Sequence, residues 1–168
     1  MEIAHLSDQT KEALRSFLPA AASVKNPVDM IASAPLEHYK KTLETVLADD
    51  GVDMAVVIYL PFLGLKDIDV AKAVMEIRAA HPDKPIVGVF MTKNEFFAHL
   101  SETEVNVPFF MFAEQAVEGL ARLNQQRLWR ERTDTPAPRY SVDTETVEAV
   151  FKQAAADNRV QLTTGESL

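Results

Sequence analysis

Two uninterrupted apolar runs constrain this chain most: Met54-Ala55-Val56-Val57-Ile58-Tyr59-Leu60 and Pro85-Ile86-Val87-Gly88-Val89-Phe90-Met91. A strand with one wet face alternates apolar and polar residues. A run that is apolar at every position suits a strand covered on both faces, the habit of parallel sheets. Between the runs, Ile68, Ala71, Val74, Met75 and Arg78 recur at helical spacing. Strand, helix, strand in that order implies a right-handed crossover, with helices packed against the sheet.

The flanking sequence extends the pattern. Ile3-Ala4-His5-Leu6 is too short to be more than a strand remnant, and Ser7 stands where a helix N-cap belongs, with Asp8 in the first turn. Leu14, Phe17 and Leu18 give that helix its apolar face before Pro19 ends it. Pro35 opens a second helix, whose stripe is Leu36, Tyr39, Leu43, Val46 and Leu47. After the second run come a short helix near Asn94 to Leu100 and the apolar segment Val107 to Phe112. A long helix then carries Ala116, Val117, Leu120, Leu123 and Leu128. The order predicts a flavodoxin-like, doubly wound α/β domain over 1–132, with a mostly parallel sheet and helices on both faces. A linker containing Pro136 and Pro138 follows at 133–141. Residues 142–168 then form an amphipathic helix (Val147, Val150, Phe151, Ala154) and a lead-in to whatever comes next.

Composition excludes several chemistries. A formal net charge of -8 offers little long-range attraction for phosphate backbones, so nucleic acid is not the expected partner. No run approaches the length of a membrane-spanning helix, so no membrane partner is expected. With no cysteine there are no disulfides, thiolate metal sites or thiol nucleophiles, and the cytoplasm is the expected compartment. Five glycines form neither G-x-G-x-x-G nor G-x-x-x-x-G-K-[ST], so no phosphate cradle is present. His5, His38, His81 and His99 are scattered, with no metal-ligand spacing. A complete active site is therefore not expected, and no catalytic residue is assigned.

What remains is three loops at expected strand ends, the side on which doubly wound sheets bind ligands. These are Asn26-Pro27-Val28-Asp29, Tyr59-Leu60-Pro61-Phe62 and Met91-Thr92-Lys93-Asn94. They supply the binding or docking candidates Asn26, Pro27, Asp29, Tyr59, Pro61, Thr92 and Lys93. Asp29 could hold a partner's amides or a ribose hydroxyl, or simply bond its own backbone as a turn former. Lys93 could meet a phosphate or remain a solvated charge. Arg122, Arg127, Arg130 and Arg132 crowd the end of the long helix, where cations complement the helix dipole. An anion site using Trp129 as a stacking surface is the alternative.

Four segments in order carry a resemblance: "LSDQTKEALRSFLPAAASVKNPVDM", "HYKKTLETVLADDGVDMAVVI", "VPFFMFAEQAVEGLARL" and "AAADNRVQLTTGESL". Together they resemble the NDP-forming acyl-CoA synthetases (acetyl-CoA synthetase, ADP-forming, and succinyl-CoA ligase-like). In particular they resemble the second flavodoxin-like ligase-CoA domain, up to the start of the ATP-grasp domain. The resemblance implies a domain of an enzyme converting acyl-CoA, ADP and phosphate to acid, CoA and ATP, inactive alone. It implies CoA-binding, phosphohistidine and ATP-grasp partner domains, with CoA, ATP or ADP, and Mg bound by the full-length protein. It raises the Asn26-Pro27-Val28-Asp29 motif to a site-wall or docking candidate. No residue matches the family's S-H-T-G phosphohistidine motif, and the T-N-A-G-G-P-G turn of the domain's first strand is absent. In the strand order 2-1-3-4-5, Ile3 to Leu6 would be strand 2 and Met54 to Leu60 strand 3. Strand 3 would then have an unpaired edge, from which a homo-oligomer is expected. The alternatives are a synthetase-like sensor domain of a protein N-acetyltransferase and a free-standing binding module.

Overall fold

The computed structural model describes all residues except 62–63, 102–103, 134–135, 137–139 and 168. It divides into two compact units, Met1–Glu131 and Arg132–Leu168. The expected linker at 133–141 lies largely outside the described residues.

The first unit is an α/β layer structure. Its elements are α1 (Asp8–Arg15), α2 (Leu36–Leu47), β1 (Ala55–Tyr59), α3 (Asp67–Ala80), β2 (Ile86–Phe90), α4 (Asn94–Ser101), β3 (Phe109–Phe110) and α5 (Ala113–Arg130). The strands form a parallel sheet in the order β1-β2-β3, with Val57 opposite Gly88 and Gly88 opposite Phe109. Helices cover both faces. On one side α2 and α3 pack Leu43, Leu47, Val74 and Ile77 against Ala55 and Ile86. Nearer the strand ends α4 adds Phe96 and Leu100 to Tyr59, Val70 and Phe90. On the other side α5 sets Ala116 and Leu120 against Val87 and Val89. Gly88 is required by close approach, since a Cβ there would stand 2.6 Å from the Phe109 ring at Cε1 and closer still at Cδ1.

Ser7 caps α1, its side chain accepting from the Thr10 amide, and Leu14 is fully buried. That end of the chain is tied down by Asp49. The Asp49 carboxylate accepts from the Ser7 amide at 2.8 Å and from the Gly51 amide at 2.9 Å, and Thr10 adds a side-chain bond. These donors hold it ionised, well below the usual carboxylate range, with the Ser7 amide the largest cause. Beside it the Lys84 ammonium donates to Leu47 O at 2.7 Å and Asp49 O at 2.9 Å, satisfying carbonyls left over at the end of α2.

Three expectations are corrected. Ile3 to Leu6 form no strand; Leu6 is buried in a cluster with Leu14, Leu18, Val24 and Val52, while the Ala4 carbonyl accepts from Asn26 Nδ2. The cause is that no strand lies beside this segment to pair with it. Second, β2 is buried at every position, but in β1 Val56 is 38% and Ile58 50% exposed. Third, Val117, Leu123 and Leu128 of α5 are exposed, and only Ala116 and Leu120 are buried. The last two share a reason: α5 packs chiefly over β2 and covers the same face of β1 only in part. Among the described residues β1 pairs only with β2, and the bonds from Ala55 N to Pro85 O and from Met91 N to Tyr59 O use its alternate residues. The amides and carbonyls of Val56 and Ile58 therefore point off the sheet edge.

The second unit contains α6 (Thr144–Ala156), capped by the Asp143 side chain on Thr146 N. Beyond it the Arg159 guanidinium grips Glu166 through two bonds of 2.8 and 2.9 Å. Glu166 also accepts from the amide and hydroxyl of Thr163. Arg159 first, then Thr163, hold the Glu166 carboxyl at about 2.

Candidate strand-end site

The carboxyl ends of β1 and β2 open onto a cleft of about 450 Å³ lined by Pro61, Leu65, Lys66, Asp67, Ile68, Met91, Thr92 and Lys93. Its walls follow from local bonding. Tyr59 ends β1 with its ring in the core, and its hydroxyl donates to Leu65 O at 3.1 Å, holding the loop into α3. Asp67 opens α3 with its carboxylate turned back on the protein: Oδ1 accepts from the Ile68 amide and Oδ2 from the Thr92 hydroxyl, each at 2.8 Å. The Thr92 bond links the end of β2 to the start of α3. Lys93 follows, its carbonyl accepting from Phe96 N as α4 begins. Lys66 and Lys93 are exposed, and among the described residues neither ammonium has an ion-pair partner.

Of the seven sequence candidates, Pro61, Thr92 and Lys93 meet in this cleft and Tyr59 underlies it. Phe62 of the same loop lies outside the described residues. Asn26, Pro27 and Asp29 stand apart, on a loop closed by the backbone pair Ser23 and Asp29 and containing a cis Asn26–Pro27 bond. There Asn26 Nδ2 donates to Ala4 O at 3.0 Å, and Asp29 Oδ1 accepts from the Ile31 amide at 2.9 Å. The carboxylate is thus occupied by its own turn. Sequence reasoning missed Lys66 and Asp67; the available signal was an acidic residue in the first turn of a helix directly after a strand. Arg122 pairs with Glu118 and Arg127 with Glu131, so two of the four clustered arginines are used along α5 itself.

Among the described residues no three His, Asp or Glu side chains gather as a metal site, and no helix is long and apolar enough to cross a membrane. Parallel strands joined by crossover helices, with helices on both faces of the sheet, define an α/β domain.

Comparison with known proteins narrows that class. No family model matches the chain. It is similar to the α subunit of the ADP-forming acetate-CoA ligase II of Pyrococcus furiosus, 39% identical over 94 residues, which is 54% of this chain and 21% of that one. It is similar also to the ADP-forming acetate-CoA ligase I of Archaeoglobus fulgidus, 29% identical over 73 residues, 44% of this chain and 11% of the relative. A solved protein of Pyrococcus horikoshii superposes with a TM-score of 0.59 at 37% identity, over 66% of this chain and 26% of that one. The apo acetyl-coenzyme A synthetase 1 of Ca. Korarchaeum cryptofilum, described as dinucleotide forming, shares the fold. Its TM-score is 0.60 at 21% identity, over 77% of this chain and 30% of that one. The chain is homologous to a domain of the NDP-forming acyl-CoA synthetases. It spans about a fifth of the length of the Pyrococcus furiosus relative.

Proposed function

We propose that this chain works as the second flavodoxin-like ligase-CoA domain of a cytoplasmic NDP-forming acyl-CoA synthetase. The reaction is acyl-CoA + ADP + phosphate to acid + CoA + ATP. CoA, the nucleotide and Mg are bound by the whole assembly, which includes CoA-binding, phosphohistidine and ATP-grasp domains. The observation that carries this reading is the 39% identity to an ADP-forming acetate-CoA ligase subunit. The strand-end cleft and the Asn26–Asp29 loop serve as walls toward partner domains. To test this, the segment of the Pyrococcus furiosus subunit that matches this chain is replaced by the corresponding residues of this chain. The chimera is expected to make ATP from acetyl-CoA, ADP and phosphate, whereas this chain alone makes none. A folded, assembled chimera without turnover refutes the reading.

The bare edge of β1 bears on assembly. It carries no charge between Met54 and Leu60, and natural sheet edges are commonly guarded by lysine, proline or a bulge. We propose that in the absence of partner domains the chain self-associates through this edge. Light scattering at micromolar concentration is expected to give an oligomer, and Ile58→Lys a monomer with an unchanged circular dichroism spectrum. A monomeric parent chain rules this out.

A further inference from the structure

We propose that two copies of this chain pair as a closed two-fold dimer, β1 lying antiparallel to β1 of the second copy about Val57 and the two α5 helices lying antiparallel above the joined strands. The inference deepens the self-association proposed above and rests on it, adding the partner surface, its register and its closure. Ala55, Val57 and Tyr59 turn their backbone groups to β2, whereas those of Val56 and Ile58 point off the edge. A two-fold through Val57 sets Val56 opposite Ile58 of the second copy, and each such pair exchanges both of its bonds. Met54 and Leu60 meet in the same register. Val56 and Ile58 lie level with Val87 and Val89, which face α5, and Met54 packs into that same cluster. The two-fold runs along the sheet normal, so the exposed valine and isoleucine of both copies gather into one apolar floor on the α5 side. The opposite sheet edge, β3, is two residues long and offers little to a third copy.

The helix above this floor is complementary to itself. A Cβ at Gly119 would stand 3.8 Å from the Phe110 ring of β3, so that side of α5 faces β3. Val117 lies about 200° around the helix and faces away from β3, toward β1. Val117, Ala121, Asn124 and Leu128 follow one another at intervals of four, three and four, the spacing of a helix–helix seam. Val117 and Leu128 at its ends are exposed. α5 is acidic in its first half, at Glu114 and Glu118, and basic in its second, at Arg122, Arg127 and Arg130. An antiparallel copy brings each half against the opposite charge, whereas a parallel copy meets its own. Helices centred over the two β2 strands would stand three strand spacings apart, about 14 Å, against about 10 Å for packed helices. The partial cover that α5 gives β1 brings its seam inward and closes part of that gap.

The chain contains no cysteine, so a single introduced thiol reads the register. In the proposed pairing Val57 faces its own copy with Cβ atoms about 4.5 Å apart, within reach of a disulfide. The exposed Asp53 stands about 26 Å from its copy. With oxidised glutathione, Val57→Cys is expected to run as a cross-linked dimer on a non-reducing gel and Asp53→Cys as a monomer. Light scattering of the parent chain should give twice its mass of 18.7 kDa, without further growth on concentration. Leu128→Glu, at an exposed position, should raise the dimer Kd about tenfold with an unchanged circular dichroism spectrum. A parent chain that is monomeric at micromolar concentration overturns both this inference and the edge association. A dimer that cross-links at Asp53→Cys and not at Val57→Cys, assemblies that grow beyond two, or indifference to Leu128→Glu overturns this inference alone. None of these outcomes bears on the turnover of the chimera.

Discussion

Phe90→Ala is expected to lower the unfolding free energy by about 3–5 kcal/mol, enough to consume much of a small domain's stability. Phe90 is fully buried at the end of β2, where three layers meet. Its ring stacks on Phe96 of α4 at 5.2 Å, meets Phe109 of β3 edge-on at 4.9 Å and lies 5.2 Å from Tyr59 of β1. Removing it opens a cavity that these aromatic neighbours cannot fill without leaving their own sites. Urea denaturation followed by near-ultraviolet circular dichroism measures the loss. A change under about 1 kcal/mol would mean that the strand-end core is not packed as described.

Asp49→Ala carries the second large effect, about 2–3 kcal/mol, because the part-buried amide bonds from Ser7 and Gly51 lose a charged acceptor. Its pH dependence has a definite sign. The folded-state carboxyl is depressed below the ordinary carboxylate value, so its contribution is fully present above that value, about 3.9. The contribution is lost as pH falls from there through the folded-state value. The stability gap between the native chain and Asp49→Ala should therefore be constant from pH 7 to about 5 and shrink below pH 4. Denaturant midpoints at several pH values read this directly. A gap independent of pH down to 3 would show that the carboxylate is not held ionised by these donors.

Much of this architecture was legible in the residues themselves. The Ser7 cap, the α2 stripe ending in Leu43 and Leu47, and the buried β2 strand are local patterns that tertiary structure left intact. The candidate site was legible in part. Thr92, Lys93 and Pro61 could be placed at strand ends by topology, but nothing in their spacing showed that the Thr92 hydroxyl would bond Asp67, a residue 25 positions earlier. Nor did the Asn-Pro-Val-Asp motif reveal that the Asp29 carboxylate turns onto Ile31 N and Asn26 onto Ala4.

The errors share one physical origin. Hydrophobic periodicity reports which faces a segment is able to bury, whereas burial itself depends on what stands opposite. Val56, Ile58 and Val117 are as apolar as Val87, Val89 and Leu120, yet the first three are exposed and the last three buried. α5 packs its buried residues over β2 and covers β1 only in part. Ile3 to Leu6 could have formed a strand, but a strand exists only through hydrogen bonds to a neighbour, and the structure puts none beside it. From α1 onward the sequence by itself determined the succession of helices and strands and their parallel sense, because these follow from local periodicity and the handedness of crossovers. Only the tertiary structure decided which apolar faces are covered, which carboxylates are spent on backbone amides and which lysines stay free, because each of these depends on contacts between residues far apart in the chain.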